Sequence, residues 1–185
     1  MFSNHVRSSF LAACLLGALA FSGAGSAHAA ADAVVRTTQQ GLHSWKIETG
    51  KLYMVAGSYQ DTVAYRRSMS FYFQSNGQSE WHQVPIVESQ VDLTTAWTSA
   101  SRGETTLRDA IVVPRGKNVY LVIANRMADK PAITVARYKF VLDSDDFPDG
   151  PSALFVPLSS ASYPLKNVKS IEAVLDKEAA ALPKN

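Results

Sequence analysis

Two histidines, His43 and His82, are the side chains outside the N-terminal region best suited to acid–base or zinc chemistry. His43 lies two residues before Trp45, and His82 directly follows Trp81, each in a β-prone run. Neither belongs to a His-x-His or His-Glu-x-x-His spacing, which would favour a zinc site. The alternation of apolar and polar residues instead predicts that both histidines occupy polar positions of half-buried strands.

The serines lack the setting that a nucleophile needs. The chain contains no Gly-x-Ser-x-Gly elbow and no Ser-x-x-Lys at a predicted helix start, and its 10 glycines are not grouped into a phosphate-binding loop. The sequence therefore predicts no catalytic residues, no cofactor and a protein that is not an enzyme. A hydrolase is the alternative if His43 and His82 meet in space beside a serine or a carboxylate.

The densest acidic cluster lies at residues 143–149. Its carboxylates are a candidate calcium site, because calcium takes about six to eight oxygen ligands; they are Asp143, Asp145, Asp146 and Asp149. The spacing differs from that of the helix-flanked calcium loop, and no bidentate glutamate ends it. A solvated turn punctuated by Pro148 and Gly150 is the alternative interpretation.

Arginines and one tryptophan are the candidates for binding a ligand or a partner. They are Trp97, Arg102, Arg66 and Arg67, and the segment 99–105 that contains Arg102 is predicted to be a loop. Arginines at one end of a β scaffold can receive an anionic ligand or the acidic patch of a partner. The alternatives are that such arginines pair with acids at strand ends, as Arg108 and Arg126 could, and that Trp97 is part of the core.

These residues must be positioned by strands, because short β-prone runs fill most of the chain. Residues 64–73 alternate in character, the Asn76-Gly77 turn follows, and residues 81–87 form the predicted return strand of a hairpin. Residues 119–124 are the most continuously apolar run and are predicted to lie centrally. The fold class is predicted to be mainly β, an antiparallel β-sandwich or open barrel.

The C-terminal segment changes to helical periodicity. Val168, Ile171, Val174 and Leu175 recur at helical spacing, and Asn167 is the predicted N-cap. The sequence thus predicts one amphipathic helix at about residues 167–182 that packs against the sheet and ends a single β-rich domain spanning residues 30–185.

The N-terminal region has the three parts of a secretory signal peptide. Arg7 precedes an apolar run at residues 10–21, and Ala27-His28-Ala29 is an A-x-A cleavage site, which predicts a signal peptide of residues 1–29 cleaved after Ala29. An uncleaved anchor is one alternative, and lipidation of Cys14 is another. Cleavage removes Cys14, the one cysteine of the chain, so we expect a thiol-free periplasmic domain.

The charge balance argues against nucleic acid as a partner. The formal net charge is +2 and falls to about +1 when Arg7 is removed with the signal peptide. We expect no transmembrane segment after cleavage, since the apolar run at residues 10–21 is shorter than the roughly 20 residues that span a bilayer. The expected partner is a small molecule or an envelope protein, and the oligomeric state stays open.

Four segments together resemble the periplasmic carbapenem self-resistance (immunity) proteins. They are Ser70-Phe71-Tyr72-Phe73, Trp81-His82-Gln83-Val84-Pro85-Ile86, Leu107-Arg108-Asp109 and Tyr120-Leu121-Val122-Ile123-Ala124-Asn125-Arg126. The resemblance covers roughly residues 55–126. It implies a small exported β protein that protects the cell without hydrolysing the antibiotic.

Three functions are therefore open. The first is an exported periplasmic protein, non-catalytic, that binds or protects. The second is a structural or interaction module of the envelope that works through a sheet edge or an apolar patch. The third is the hydrolase named above.

Overall fold

Strands account for most of the chain in the computed structural model, which describes residues 33–60, 65–89, 92–127, 129–145, 147 and 150–183. The predicted signal peptide, with Ala29 and Cys14, lies outside the described residues. The elements in chain order are β1 (Val35–Arg36), β2 (Gly41–Ile47), β3 (Gly50–Gln60), β4 (Tyr65–Ser75), β5 (His82–Val84), β6 (Ile86–Val87), β7 (Leu93–Thr94), β8 (Ala96–Thr98), β9 (Ala100–Arg102), β10 (Thr105–Arg115), β11 (Asn118–Arg126), β12 (Ala132–Leu142), β13 (Ala153–Pro164), a 3-10 turn (Leu165–Asn167) and α1 (Ile171–Ala181).

The strands form two sheets. The large sheet has the order β1-β10-β11-β12-β13-β6-β7, with β9 also paired to β10. The small sheet has the order β2-β3-β4-β5, with β8 also paired to β4. Neighbouring strands are antiparallel except β13 and β6, which are parallel. The predicted fold class, a mainly β protein with one helix near its C-terminus, is confirmed.

The main core lies between the two sheets, because alternate residues of each sheet point inward. From the small sheet, Leu52, Met54 and Phe71 are almost completely buried, and Leu121 and Phe155 face them from the large sheet. The rings of Phe71 and Phe155 meet edge to face with their centroids 4.8 Å apart, a geometry that aromatic pairs favour.

The large sheet is buried on its second face as well. In β11, Leu121 and Ile123 point to the small sheet, whereas Val122 and Ala124 point to a second cluster formed with Val174 and other residues of α1. A strand that is covered on both faces has no polar side, which explains its continuous apolar sequence. The prediction that residues 119–124 lie centrally is confirmed, since β11 pairs with β10 on one side and β12 on the other.

The C-terminal helix begins later than predicted. Asn167 ends the 3-10 turn, and the N-cap is Ser170, whose hydroxyl oxygen accepts a hydrogen bond from the backbone N–H of Ala173 at 3.2 Å. Serine at this position satisfies a helical N–H that would otherwise have no partner. The predicted apolar stripe is confirmed for Ile171, Val174 and Leu175, which are buried. Among the described residues, no helix is long and apolar enough to cross a membrane.

A buried carboxylate joins this helix to the large sheet. Glu178 is 0% exposed, and both of its oxygens accept hydrogen bonds from the Arg137 guanidinium on β12, while the Tyr163 hydroxyl donates to one of them. The bond to Glu178 raises the pKa of Arg137 and that of Tyr163, because each donor is stabilised in its protonated form. At the end of α1, an Arg115 Nη donates to the carbonyl of Ala179 at 2.8 Å, which compensates unpaired carbonyls there.

The segment between β5 and β9 alternates between the two sheets, and two predictions fail there. The predicted return strand at residues 81–87 is divided: β5 pairs with β4 in the small sheet, and β6 belongs to the large sheet. Pro85 separates them, since proline has no N–H to continue a ladder, and its carbonyl accepts from the N–H of Phe155 at 2.9 Å. The predicted loop at residues 99–105 contains strand β9, which pairs with β10 across Gly103.

The close approach of strand β4 to the first residue of β3 requires a glycine at position 50. A Cβ built on Gly50 would lie 2.2 Å from the backbone oxygen of Gln74 and 2.7 Å from the ring of Phe73. Gly57, on the same strand, has nothing within 4 Å of the corresponding point. The two glycines therefore form a matched pair for a test.

We expect Gly50→Ala to lower the free energy of unfolding by about 2 kcal/mol or more, because the methyl group overlaps a backbone atom. Gly57→Ala should change it by no more than about 0.5 kcal/mol. Urea unfolding followed by circular dichroism measures both, and equal stability of the two variants would contradict the contact at Gly50.

We expect Glu178→Gln to lower the free energy of unfolding by about 3 kcal/mol, because it leaves the Arg137 charge without its buried counter-ion. The control is Asp176→Asn on the same helix, whose carboxylate is 60% exposed in an ion pair with Arg36 and should contribute less than about 1 kcal/mol. Similar shifts of the urea midpoint in both variants would show that Glu178 does not hold the helix.

Candidate functional site

A polar pocket opens at one end of the sandwich, where the inward-facing side chains change from apolar to polar. Its volume is about 280 Å³. We name it the Arg67 pocket, and its lining residues are Gln40, Ser58, Arg67, Ser99, Ala100, Ser101 and Thr106.

Strand alternation places Arg67 in the pocket. Met69, Phe71 and Phe73 are the buried residues of β4, and Arg67 continues the same inward row two residues beyond Met69. Ser58 is in register with Arg67 on the neighbouring strand β3. The pocket therefore begins where the core of the small sheet ends.

Two hydrogen bonds hold Ser99, in the wall of the pocket opposite β3, against Arg67. The N–H of Ser99 donates to the carbonyl of Arg67 at 2.8 Å, and the N–H of Arg67 donates to the Ser99 hydroxyl oxygen at 3.0 Å. Ser99 lies between β8 of the small sheet and β9 of the large sheet, so it bridges the two sheets at this end. These two hydrogen bonds hold the Ser99 hydroxyl beside Arg67.

A buried carboxylate, Asp109, lies behind the guanidinium. One of its oxygens accepts from the Thr37 hydroxyl at 2.6 Å and from the N–H of Ala110 at 2.9 Å. Its other oxygen is 3.9 Å from Nη1 of Arg67, and the same Nη1 donates to the Thr37 hydroxyl oxygen at 3.4 Å. Asp109 and Thr37 thus position the Arg67 side chain, which is 41% exposed toward the pocket.

Two serine hydroxyls of the pocket are used as acceptors and keep their own protons. Ser99 accepts from the N–H of Arg67, and Ser58 accepts from the amide nitrogen of Gln40 at 3.1 Å. In the described part of the chain, neither hydroxyl donates to an acceptor, although each carries one donor. Thr106 differs, because its hydroxyl donates to Glu172 on α1 at 2.9 Å. Burial alone would raise the pKa of Glu172. Hydrogen bonds with the backbone, Ser170 and Thr106 together outweigh it, so the pKa of Glu172 is lowered.

Of the four predicted binding residues, the structure places Arg67 in this pocket. Trp97 is 0% exposed and in register with Met69 in the core, so a ligand at the surface does not reach its ring. The guanidinium of Arg108 lies over that ring at 5.2 Å and pairs with Glu88 at 3.3 Å. Arg66 and Arg102 lie on the strand faces opposite Arg67 and Ser101. Binding by these residues stays a prediction.

The acidic segment lies at the other end of the sandwich. Leu142 at the end of β12 is near the β10–β11 turn, because Lys139 is in register with Tyr120. The 11 residues of β10 separate that turn from Thr105 by about 35 Å. Asp146 and Asp149 lie outside the described residues, and no group of three His, Cys, Asp or Glu side chains in the described ranges could hold a metal ion. The calcium site stays a prediction.

The two histidines do not meet. His43 lies on β2 and His82 on β5, which are three strand spacings apart in the small sheet, a distance of about 14 Å. The polar position predicted for His43 is wrong: it is buried on the inner face beside Trp45, and its Nε2 is 2.8 Å from the carbonyl oxygen of Gln39. His82 is exposed.

An apolar surface covers part of the outer face of the small sheet, and we name it the outer aromatic face. Leu42 and Val55 are cross-strand partners and are 43% and 44% exposed. Trp81 stacks on Tyr53 with ring centroids 4.1 Å apart and has 44% of its surface exposed. An exposed cluster of this kind is typical of interaction surfaces.

Several pocket residues are not indicated by their local sequence. Gln40 and Ser58 stand in strand ends and turns, where such residue types are common, and nothing in their spacing relates them to Arg67. Asp109 directly follows Arg108, and its residue type does not indicate that it lies behind Arg67. Besides Arg67 itself, the segment 99–105 indicated this region, because it supplies Ser99 and Ser101 and contains strand β9 where a loop is predicted.

Comparison with known proteins identifies a shared fold. No protein-family model and no curated protein sequence matches the chain. Among solved structures, the chain is similar to the crystal structure of CarG, with a TM-score of 0.59 and 14% sequence identity, over 79% of this chain and 93% of CarG. At this identity the similarity describes the architecture of the two proteins.

Proposed function

We propose that the chain is an exported, non-catalytic periplasmic protein that binds a small molecule in the Arg67 pocket and protects the cell, as carbapenem self-resistance proteins do. The observation that carries this proposal is the pocket itself, where the positioned guanidinium of Arg67 lies beside serine hydroxyls whose protons are available to a ligand. The resemblance at residues 55–126 and the fold shared with CarG support the same function.

Export is supported by the N-terminal sequence and by the way the described core is built. The single cysteine of the chain, Cys14, belongs to the predicted signal peptide. The domain that follows is held by apolar packing and by the buried pair of Arg137 and Glu178. Such a domain needs no oxidative step after it crosses the membrane.

A non-catalytic role is supported by the composition of the pocket. Its described lining residues include serine and threonine hydroxyls, and among these described residues there is no histidine or lysine that could act as a general base toward them. His43 and His82 are separated by three strand spacings, so they do not supply the pair that the hydrolase alternative requires. Binding without turnover is the function that these groups support best.

A second candidate function is the envelope interaction module, and the outer aromatic face favours it. The occupant we propose for this face is a second copy of the chain, because a two-fold contact places the same patch against itself. The exposed side chains of Leu42, Val55 and Trp81 would then cover one another.

The protective function predicts a change in antibiotic susceptibility. Expression of the full chain in a susceptible bacterium should raise the inhibitory concentration of a carbapenem above that of a vector control. Arg67→Gln should abolish most of the increase, whereas Lys117→Gln should retain it, since Lys117 is 80% exposed at the opposite end of the sandwich. Immunoblots of periplasmic fractions check that all proteins are exported equally. An unchanged inhibitory concentration for the exported wild-type protein would contradict the self-resistance proposal.

The interaction module predicts concentration-dependent self-association in sedimentation velocity. Val55→Asp should shift the protein to the monomer, because it places a charge in the centre of the outer aromatic face. Leu158→Asp is the matched control, since Leu158 is 52% exposed on β13 of the other sheet. A wild-type protein that stays monomeric at high concentration would rule out a second copy as the occupant.

A further inference from the structure

We infer that the Arg67 pocket recognises an oxyanion, and that its ligand is a small molecule carrying a carboxylate. This inference rests on the proposed binding function and specifies the chemistry of the ligand. It follows from the kind of hydrogen-bonding groups that the pocket still has available, and from the position of the charges around it.

Arg67, Ser99 and Ser58 supply hydrogen-bond donors to the pocket, and the Gln40 amide oxygen and the Ser101 hydroxyl are the lining groups that can also accept. The hydroxyl oxygens of Ser99 and Ser58 already accept hydrogen bonds from the Arg67 N–H and the Gln40 amide. Each hydroxyl therefore presents its proton to a ligand. A guanidinium contributes donors alone, so the favoured ligand group is an acceptor with several lone pairs.

The positive charge of Arg67 is only partly compensated by Asp109. The Nη1 to Oδ2 distance of 3.9 Å is beyond hydrogen-bond length, and Asp109 accepts its hydrogen bonds from Thr37 and Ala110 instead. Asp109 and Arg67 do not form the two-bond pair that would use the guanidinium fork. The planar fork thus remains available to a ligand carboxylate.

The carboxylate that contacts a lining residue of the pocket from α1 is directed away from the ligand-binding groups. Glu172 accepts from the hydroxyl of Thr106 at 2.9 Å, and Glu172 belongs to the helix that covers the outer side of the large sheet. Thr106 therefore offers the ligand no hydroxyl proton, and the favourable groups are Arg67, Ser99 and Ser58.

The size of the pocket limits what enters it. A volume of about 280 Å³ is near the lower end of ligand pockets, which span about 300–1,000 Å³. It suits a single ring system with its carboxylate, and the pocket lies at an end of the sandwich where the remainder of a larger ligand stays in solvent.

The test is isothermal titration calorimetry on the protein purified from the periplasm of expressing cells, at low ionic strength. The probes are meropenem, which carries a carboxylate, its methyl ester, and inorganic phosphate. We expect meropenem to bind at least about tenfold more tightly than its ester, because a charge-assisted hydrogen bond pair is lost in the ester.

The variants separate recognition from folding. Arg67→Gln and Ser99→Ala should each weaken the binding of meropenem, with the larger loss, about tenfold or more, for Arg67→Gln. Arg67→Lys keeps the charge without the fork and should bind with intermediate affinity. Lys117→Gln should bind as wild type, and thermal unfolding of each variant shows whether its fold is retained.

The outcomes distinguish this inference from the protective function. Arg67-dependent binding of meropenem supports the inference even if the susceptibility of the expressing strain does not change. Binding of phosphate alone, with the same dependence on Arg67, would overturn the carboxylate as ligand. Three results would overturn the inference: equal affinity of the acid and its ester, unchanged affinity of Arg67→Gln, or no binding of any probe. The comparison of acid and ester uses the wild-type protein, so a variant that fails to fold does not affect it.

Discussion

The large sheet is apolar on both of its faces, and the rest of the structure depends on covering each of them. Val122 of β11 packs toward α1 while Leu121 packs toward the small sheet, so neither layer can be removed without exposing core residues to water. The helix adds a specific bond to this nonspecific burial, because Glu178 reaches the sheet as a buried charge and must find Arg137 there. The small sheet needs no such cover on its outer side, where Tyr53 and Trp81 stack in contact with solvent.

The candidate site is a product of the same layering. The inward rows of β3 and β4 are apolar as long as they face the large sheet, and they become polar at Ser58 and Arg67, where the layers open. A buried Asp109 behind the arginine fixes its direction without taking its donors. A preorganised donor set of this kind lowers the entropic cost of binding a small polar molecule. The fold that carries it is shared with CarG.

The sequence predicted the regular parts of this fold well and its irregular parts poorly. Alternation identified β4 and the run of β11, since in both cases one strand keeps one environment along its length. The chain between His82 and Arg102 forms strands of only two or three residues and passes from the small sheet to the large sheet, back to the small sheet and again to the large sheet, so no period is long enough to be recognised there. Arg67 could be predicted as a binding residue from its type, but the residues that surround it in the pocket could not. Ser58 joins it through the register of the β3–β4 hairpin, and Asp109 through the packing of the large sheet against the small sheet. Neither the register nor the contact between sheets can be read from local sequence.

The parallel pair of β6 and β13 also determines when the fold can be completed. Ile86 is in register with Phe155, and the carbonyl of Pro85 accepts a hydrogen bond from the N–H of Phe155. The short β6–β7 pair therefore joins the large sheet only after β13 has been synthesised, and closing so long a loop is slow. Closure of the large sheet is therefore a late event, which follows the synthesis of almost all of the described strands.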